Sequence, residues 1–260
     1  MGHVHLGVIP KSSNWRNVVD LLGAGAANPD VVSASAKAAE RDLLGAGSDP
    51  VFVEAVRLLL LVPQAARQDD FGAGLRSIDL AIGDRPALMD ILAALEKRLD
   101  NVAAVSSGHT DLGEFAGRAL IDTMMTRIGA GLPGLFGPTP DDVASAARSL
   151  AGRRGLSDLV RGFFTRAVSD SLASWLDRTL SIHVGPGLHF AGASDRTAFD
   201  RALNVHVYEA TRIVQEFAPG WTGKRLAEVG TITSTAARDF GAVSLKKIVE
   251  ELRTKHQFDG

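Results

Sequence analysis

Cysteine is absent from the 260 residues. That absence removes disulfides, thiolate zinc sites, iron–sulfur clusters and cysteine nucleophiles together. Aromatic residues are sparse at 6%, with a single tyrosine. Long apolar runs are missing too: the longest, Leu58 to Val62, falls far short of the roughly 20 residues that cross a bilayer. The opening residues MGHVHLGVIPKSS carry no charged stretch followed by an apolar one, so no secretory leader is expected and the chain reads as cytoplasmic. Leu6 stands where a myristoylation signal beginning at Gly2 wants Ser or Thr, which argues against acylation there. Neither charge sign dominates. The net charge is -2; residues 1–130 carry 12 Lys and Arg against 16 Asp and Glu, and the remainder 16 against 14. Such a balance excludes an electrostatic grip on nucleic acid over the whole surface. The sequence also contains no Walker string, Gly-x-Ser-x-Gly elbow, His-Glu-x-x-His pair or dinucleotide fingerprint, so no nucleotide, zinc-protease or α/β-hydrolase chemistry is announced.

What remains is 45% hydrophobic and 22% charged, enough apolar material for a sizeable core. Apolar residues recur mostly at intervals of three and four, which predicts an all-α protein, a multi-helix bundle of about nine or ten helices. Trp15, Val18, Val19 and Leu22 form one stripe that stops at Gly-Ala-Gly. The string DLLGAG, starting at Asp20, returns at Asp42. Two copies with unrelated flanks read as two helix C-caps rather than a repeat. Asp49-Pro50 opens the next helix, with proline at its first position, and Leu58 to Leu61 leave it almost no polar side, so a central buried helix is expected. Further helices are expected over 86–102, 111–128, 140–150, 156–182, 195–217 and 234–255. Residues 3–9 alternate and read as a short strand or an extended arm, while 226–232 reads as either a pairing segment or a loop.

The Gly/Pro-rich string from Gly129 to Pro140 is the best internal boundary, with three Phe before it and eight from Phe136 onward. The expected organisation is an extended N-terminal arm over 1–13, a helical lobe over 14–132 and a second over 139–260. The two lobes are either separate or one continuous domain.

Seven histidines without cysteine confine any metal site to His and carboxylate ligands. His3 and His5 lie on the same side of an extended segment, as on the first strand of many metal-dependent hydrolase barrels. The strands and helices of a barrel do not follow them, so they read as an interface pair. His183 and His189 bracket Gly185-Pro186-Gly187, a turn that suits the exit of a helix. This loop lacks the helix N-terminus and the Lys-Ser/Thr of a phosphate loop. His206 joins Phe199, Leu203, Ala210, Ile213 and Phe217 on one helical stripe and is expected to face the core or an interface. Glu209 is expected off its centre, neutralised by Arg212 at i+3. Tyr208 is expected to be partly exposed. Trp221, after Ala218-Pro219-Gly220 and before Lys224 and Arg225, is expected to head a loop where it either folds back on the preceding helix or stacks a base or anchors a partner. Residues 148–178 hold six Arg (148, 153, 154, 161, 166, 178) against three Asp, the strongest local basic bias and a candidate for nucleic-acid contact.

The block WLDRTLSIHVGPGLHF, leading into DRTAFDRALNVHVYEATRIVQEFAPGW, resembles segments of uncharacterised helical proteins encoded in bacterial multi-gene, defence-type operons. The resemblance spans about residues 160–255 and carries no catalytic motif. It implies an accessory subunit working beside an enzyme encoded nearby. The expected function is therefore a non-enzymatic scaffold, adaptor or regulatory subunit with a protein partner. Its candidate contacts are His3, His5, His183, His189, Trp221, Lys224 and Arg225; no cofactor, catalytic or metal residue is assigned. The alternative is a metal-dependent hydrolase or nuclease on which His183, His189, His206 and Glu209 converge.

Overall fold

A computed structural model of the chain describes residues 12–106, 111–134, 137–180 and 183–254. Its helices are α1 (Ser13–Gly23), α2 (Asn28–Gly45), α3 (Pro50–Ala65), α4 (Phe71–Arg76), α5 (Leu88–Val105) and α6 (Asp111–Gly129), followed by α7 (Pro140–Ser149), α8 (Arg153–Leu180), α9 (Ala193–Ala210), α10 (Arg212–Val229) and α11 (Ser234–Thr254). A 3-10 turn over Ala46–Ser48 joins α2 to α3. The all-α multi-helix bundle expected from the periodicity is what forms; no strand occurs among the described residues, where one isolated bridge pairs Val184 with Phe190. No described helix is long and apolar enough to cross a membrane. Residues 1–11 of the expected arm lie outside the described residues, and Ser12 already caps α1 by accepting the Trp15 N–H (3.3 Å).

The central helix is α3. Asp49 accepts the N–H groups of Val51 and Phe52 (2.8 and 2.9 Å) through one carboxylate oxygen, and Pro50 follows where its missing N–H costs nothing. Helices α4, α5, α6, α7, α8 and α11 all pack on α3, so Leu58 to Val62 are buried all round. Gly113 lets α6 come this close: a Cβ there would stand 2.6 Å from the Asp49 carboxylate. Helices before and after the 129–140 string share one hydrophobic cluster, since α3 and α6 both lie against α8. A run of ring contacts crosses that cluster. Phe52 of α3 meets Phe163 and Phe164 of α8 (6.4 Å each), Phe164 meets Phe240 of α11 (6.2 Å), and Phe240 meets Phe217 and Trp221 of α10 (5.6 and 4.7 Å).

Two charges enter the core with α3. Glu54 and Arg57 are 4% and 8% exposed. Arg57 donates to both Glu54 oxygens (2.8 Å each), to the Ile78 carbonyl (3.0 Å) and to Asp79 (3.0 Å), while Arg98 of α5 donates to Glu54 (2.7 Å). Asp79 sits at φ +72, in the left-handed region that an L residue other than Asn or Asp seldom enters. Burial pushes the Glu54 carboxyl up, but the hydrogen bonds and charges of Arg57 and Arg98 outweigh it and hold the pKa below the ordinary glutamate value.

The C-terminal helices depart from the sequence expectation. The single helix expected over 195–217 breaks at Thr211, and the expected loop at 218–221 lies inside α10. The stretch 226–232, expected to be a pairing segment or a loop, is the last turn of α10 and its exit through Gly230 at φ +77. Helix α8 supplies the reason for both changes. In an unbroken helix the Tyr208 carbonyl would accept from residue 212; here it accepts from Arg161 (2.8 and 3.2 Å) and from the Thr211 hydroxyl (2.8 Å). Pro219 has no N–H to give the carbonyl of Gln215, four residues back, and the Ser157 hydroxyl donates to that carbonyl instead (2.9 Å). Thr165 with Thr211 (2.9 Å), Arg161 with the Gln215 side chain (3.0 Å) and Gln215 with Asp158 (2.9 Å) complete this polar seam.

Two outcomes are expected in urea unfolding. Glu54→Gln takes from the buried Arg57 the carboxylate it holds at two points, leaving it only that of Asp79, and should cost about 3 kcal/mol. In the parent chain the Glu54 contribution is complete above pH 4.5, the unperturbed value, and fades as the pH falls through the lower folded-state pKa; the variant should lose this acid sensitivity. Ser157→Ala leaves the Gln215 carbonyl without a donor and should cost about 1 to 2 kcal/mol. No loss at all would mean that α10 passes Pro219 without help from α8.

Candidate functional site

Between α8 and α9 the chain makes a short closed loop over residues 183–190. The Phe190 N–H donates to the His183 carbonyl (3.0 Å), the Gly185 N–H to the Phe190 carbonyl (2.8 Å) and the Leu188 N–H to the Gly185 carbonyl (3.0 Å). Gly185 and Gly187 take φ values of +153 and +78, which is why glycine stands at both positions. Phe190 pins the loop from beneath: it is buried and meets Phe199 of α9 edge-on at 5.5 Å. The tip is apolar and accessible, with Val184 37% and Leu188 49% exposed. Asp195 then accepts the Ala191 N–H (3.0 Å) and steers the chain into α9.

His183 and His189 are half-buried on this loop, and the His189 ring stands edge-on against Phe190 at 4.5 Å. The Nε2 atom of His183 and the Nδ1 atom of His189 are buried without a hydrogen-bond partner. Burial first, and the neighbouring His183 second, push the His189 pKa down, against the pull of a Leu22 carbonyl from α1. His206, half-buried on α9, places Nε2 3.3 Å from the Leu252 carbonyl of α11. Glu209 lies 3.8 Å from Arg161 of α8, a cation that local spacing does not reveal, while Arg212 pairs with Glu216 (3.7 Å). Tyr208 is exposed, as expected, and the Arg161 guanidinium lies 3.6 Å over its ring. The four residues of the metal-hydrolase alternative are thus divided between a loop and two helix contacts. Among the described residues no three His, Asp or Glu side chains gather to hold a metal ion.

Trp221, expected at the head of an exposed loop, is a helical residue. It is half-buried against Phe240, with Arg225 5.8 Å from its ring. Lys224 and Arg225 both approach Glu228 (3.8 Å each), one turn on along α10. The expectation fails because Ser157 lets the helix continue through Pro219, which turns the indole inward. His3 and His5 lie outside the described residues.

The arginines of 148–178 are dispersed. Arg161 belongs to the α8 seam, Arg166 reaches Thr123 and Thr126 (3.5 and 3.3 Å), Arg178 pairs with Asp111 (3.0 Å), and Arg148 caps the end of α3 at the Ala66 carbonyl (2.6 Å). Arg153 and Arg154 are exposed. Arg67, Arg153 and Thr222, which no sequence pattern links, border one cleft; they come from the end of α3, the start of α8 and the middle of α10, so only tertiary packing unites them. No protein-family model, curated protein or solved structure matches the chain.

His189 generates a pH prediction. Its folded-state pKa lies below the unperturbed 6.5, so the folded chain holds fewer protons than the unfolded one between the two values, and stability falls as the pH drops through that window. Thermal unfolding measured between pH 7 and pH 5 should show this loss, and His189→Gln should flatten it. An equal slope in the variant would place the acid-sensitive group elsewhere.

Proposed function

We propose that the chain is a non-enzymatic helical adaptor or regulatory subunit whose 183–190 loop docks on a partner protein. The observation that carries this reading is the construction of the loop. Its backbone hydrogen bonds and the buried Phe190 hold one conformation while Val184 and Leu188 face outward. A preorganised apolar tip loses little freedom on docking, and removing its apolar surface from water favours association. The resemblance of residues 160–255 to accessory proteins of bacterial defence-type operons supports a cytoplasmic partner encoded nearby. Exposed Val and Leu on a braced loop suit such a contact better than they suit catalysis, since neither side chain can transfer a proton or ligate an ion.

Co-expression with the products of the adjoining genes, followed by mass determination of the intact assembly and its metal content, tests the reading. A defined, metal-free complex is expected. Leu188→Asp should weaken it by about tenfold or more while leaving the circular dichroism spectrum unchanged. A complex indifferent to both Leu188→Asp and Val184→Asp would remove the loop as the docking surface. A lone chain holding stoichiometric zinc or manganese would overturn the adaptor reading itself.

A further inference from the structure

Away from the 183–190 loop, a cleft opens where the end of α3, the α7–α8 turn and the middle of α10 meet. Two adjoining concavities of about 470 and 270 Å³ share Arg67 and Ala151. Arg148 and Gly152 line the first, and Arg153, Gly220, Thr222 and Gly223 line the second.

The chemistry of this cleft is that of an anion site. Arg67 and Arg153 are exposed and make no ion pair or side-chain hydrogen bond among the described residues. Arg148 is held in place through Nε on the Ala66 carbonyl (2.6 Å), which leaves both terminal amino groups of its planar fork to donate. The first turn of α8, a helix of 28 residues, begins at Gly152 and Arg153 on the same wall, with its leading N–H groups unused within the helix. Asp69 is the carboxylate on this wall.

The opposite wall supplies an independent observation. Thr222 is 1% exposed and its hydroxyl has no hydrogen-bond partner, a state that buried polar groups in proteins rarely keep. Gly220 and Gly223 flank it in a helix interior, where glycine is unfavourable, although no atom lies within 4 Å of where either Cβ would stand. Packing therefore does not ask for glycine at these positions, both of which are exposed. Beyond Asp69 the groove continues for about 510 Å³ past Asp70, Asp84 and Asp141, where Arg76 holds Asp84 (2.9 Å) and Arg85 holds Asp141 (2.8 Å). Arg85 and Arg148 line this acidic end as well, and its carboxylates accept hydrogen bonds from donors.

We infer that this cleft binds a small phosphorylated ligand. Its phosphate sits between Arg67, Arg148, Arg153 and the start of α8, and its hydroxyl or amino groups point toward the acidic end. A phosphate monoester offers three oxygens and nearly two charges, which matches three guanidinium groups and helix N–H groups better than the two oxygens of a carboxylate. The site is independent of the loop proposed to dock a partner.

The full chain titrated with inorganic phosphate and inorganic pyrophosphate tests the inference, with potassium chloride of equal ionic strength as the control. Saturable binding is expected, with pyrophosphate the tighter and a phosphate Kd on the order of 1 mM. Arg67→Ala combined with Arg153→Ala should weaken it at least tenfold without changing the circular dichroism spectrum. Absence of saturable binding, or equal affinity in the double variant, would overturn the site. Tighter binding of a single-stranded oligonucleotide than of pyrophosphate, with a steep salt dependence, would overturn it in favour of nucleic acid.

Discussion

A helix buried on every side must carry its own polar groups into the interior, and α3 carries Glu54 and Arg57. Each would be prohibitive alone. Together they form a two-point hydrogen bond, and Arg98 and Asp79 take up the remaining capacity from outside. The pair therefore positions the turn through Asp79 and the face of α5 as well as satisfying itself. The leucines on the rest of α3 can then be covered by α6, α8 and α11, because the one polar patch on the helix has its partners built into the connection after α4.

The same demand for donors and acceptors recurs at α8. Its side chains reach backbone carbonyls that α9 and α10 cannot satisfy internally, at Tyr208 and at Gln215. One carbonyl marks the break at Thr211, the other the passage through Pro219. By moving the break to Thr211 and keeping α10 helical to Val229, the seam turns Trp221 onto Phe240 and leaves Gly220, Thr222 and Gly223 along the cleft. The aromatic contacts and the cleft are thus two consequences of the same hydrogen bonds.

Both candidate sites sit at element ends held by this framework, where a rigid scaffold can present side chains at low entropic cost. The 183–190 loop is braced by Phe190 and its own backbone. The cleft is braced by Arg148 on the end of α3. Neither use follows from the helical architecture itself, since a bundle accommodates many functions and the site decides among them.

Periodicity of apolar residues determined the helical class, the buried course of α3 and most helix positions, and glycine chemistry determined the turn at 185–187, because these depend on contacts a few residues apart. The two DLLGAG copies mark the limit of that local legibility. After the first, Gly25 takes a positive φ as a helix exit demands; after the second, Gly47 continues into a 3-10 turn, where a Cβ would lie 3.0 Å from that of Ala242 on α11. An identical string does different work because its surroundings differ. The fate of Pro219, the partner of Glu209, the dispersal of the basic stretch and the cleft at Arg67, Arg153 and Thr222 were decided by tertiary structure alone. Each depends on a hydrogen bond, ion pair or cavity between residues about 40 to 160 positions apart, and no pattern along the chain encodes a distance across it.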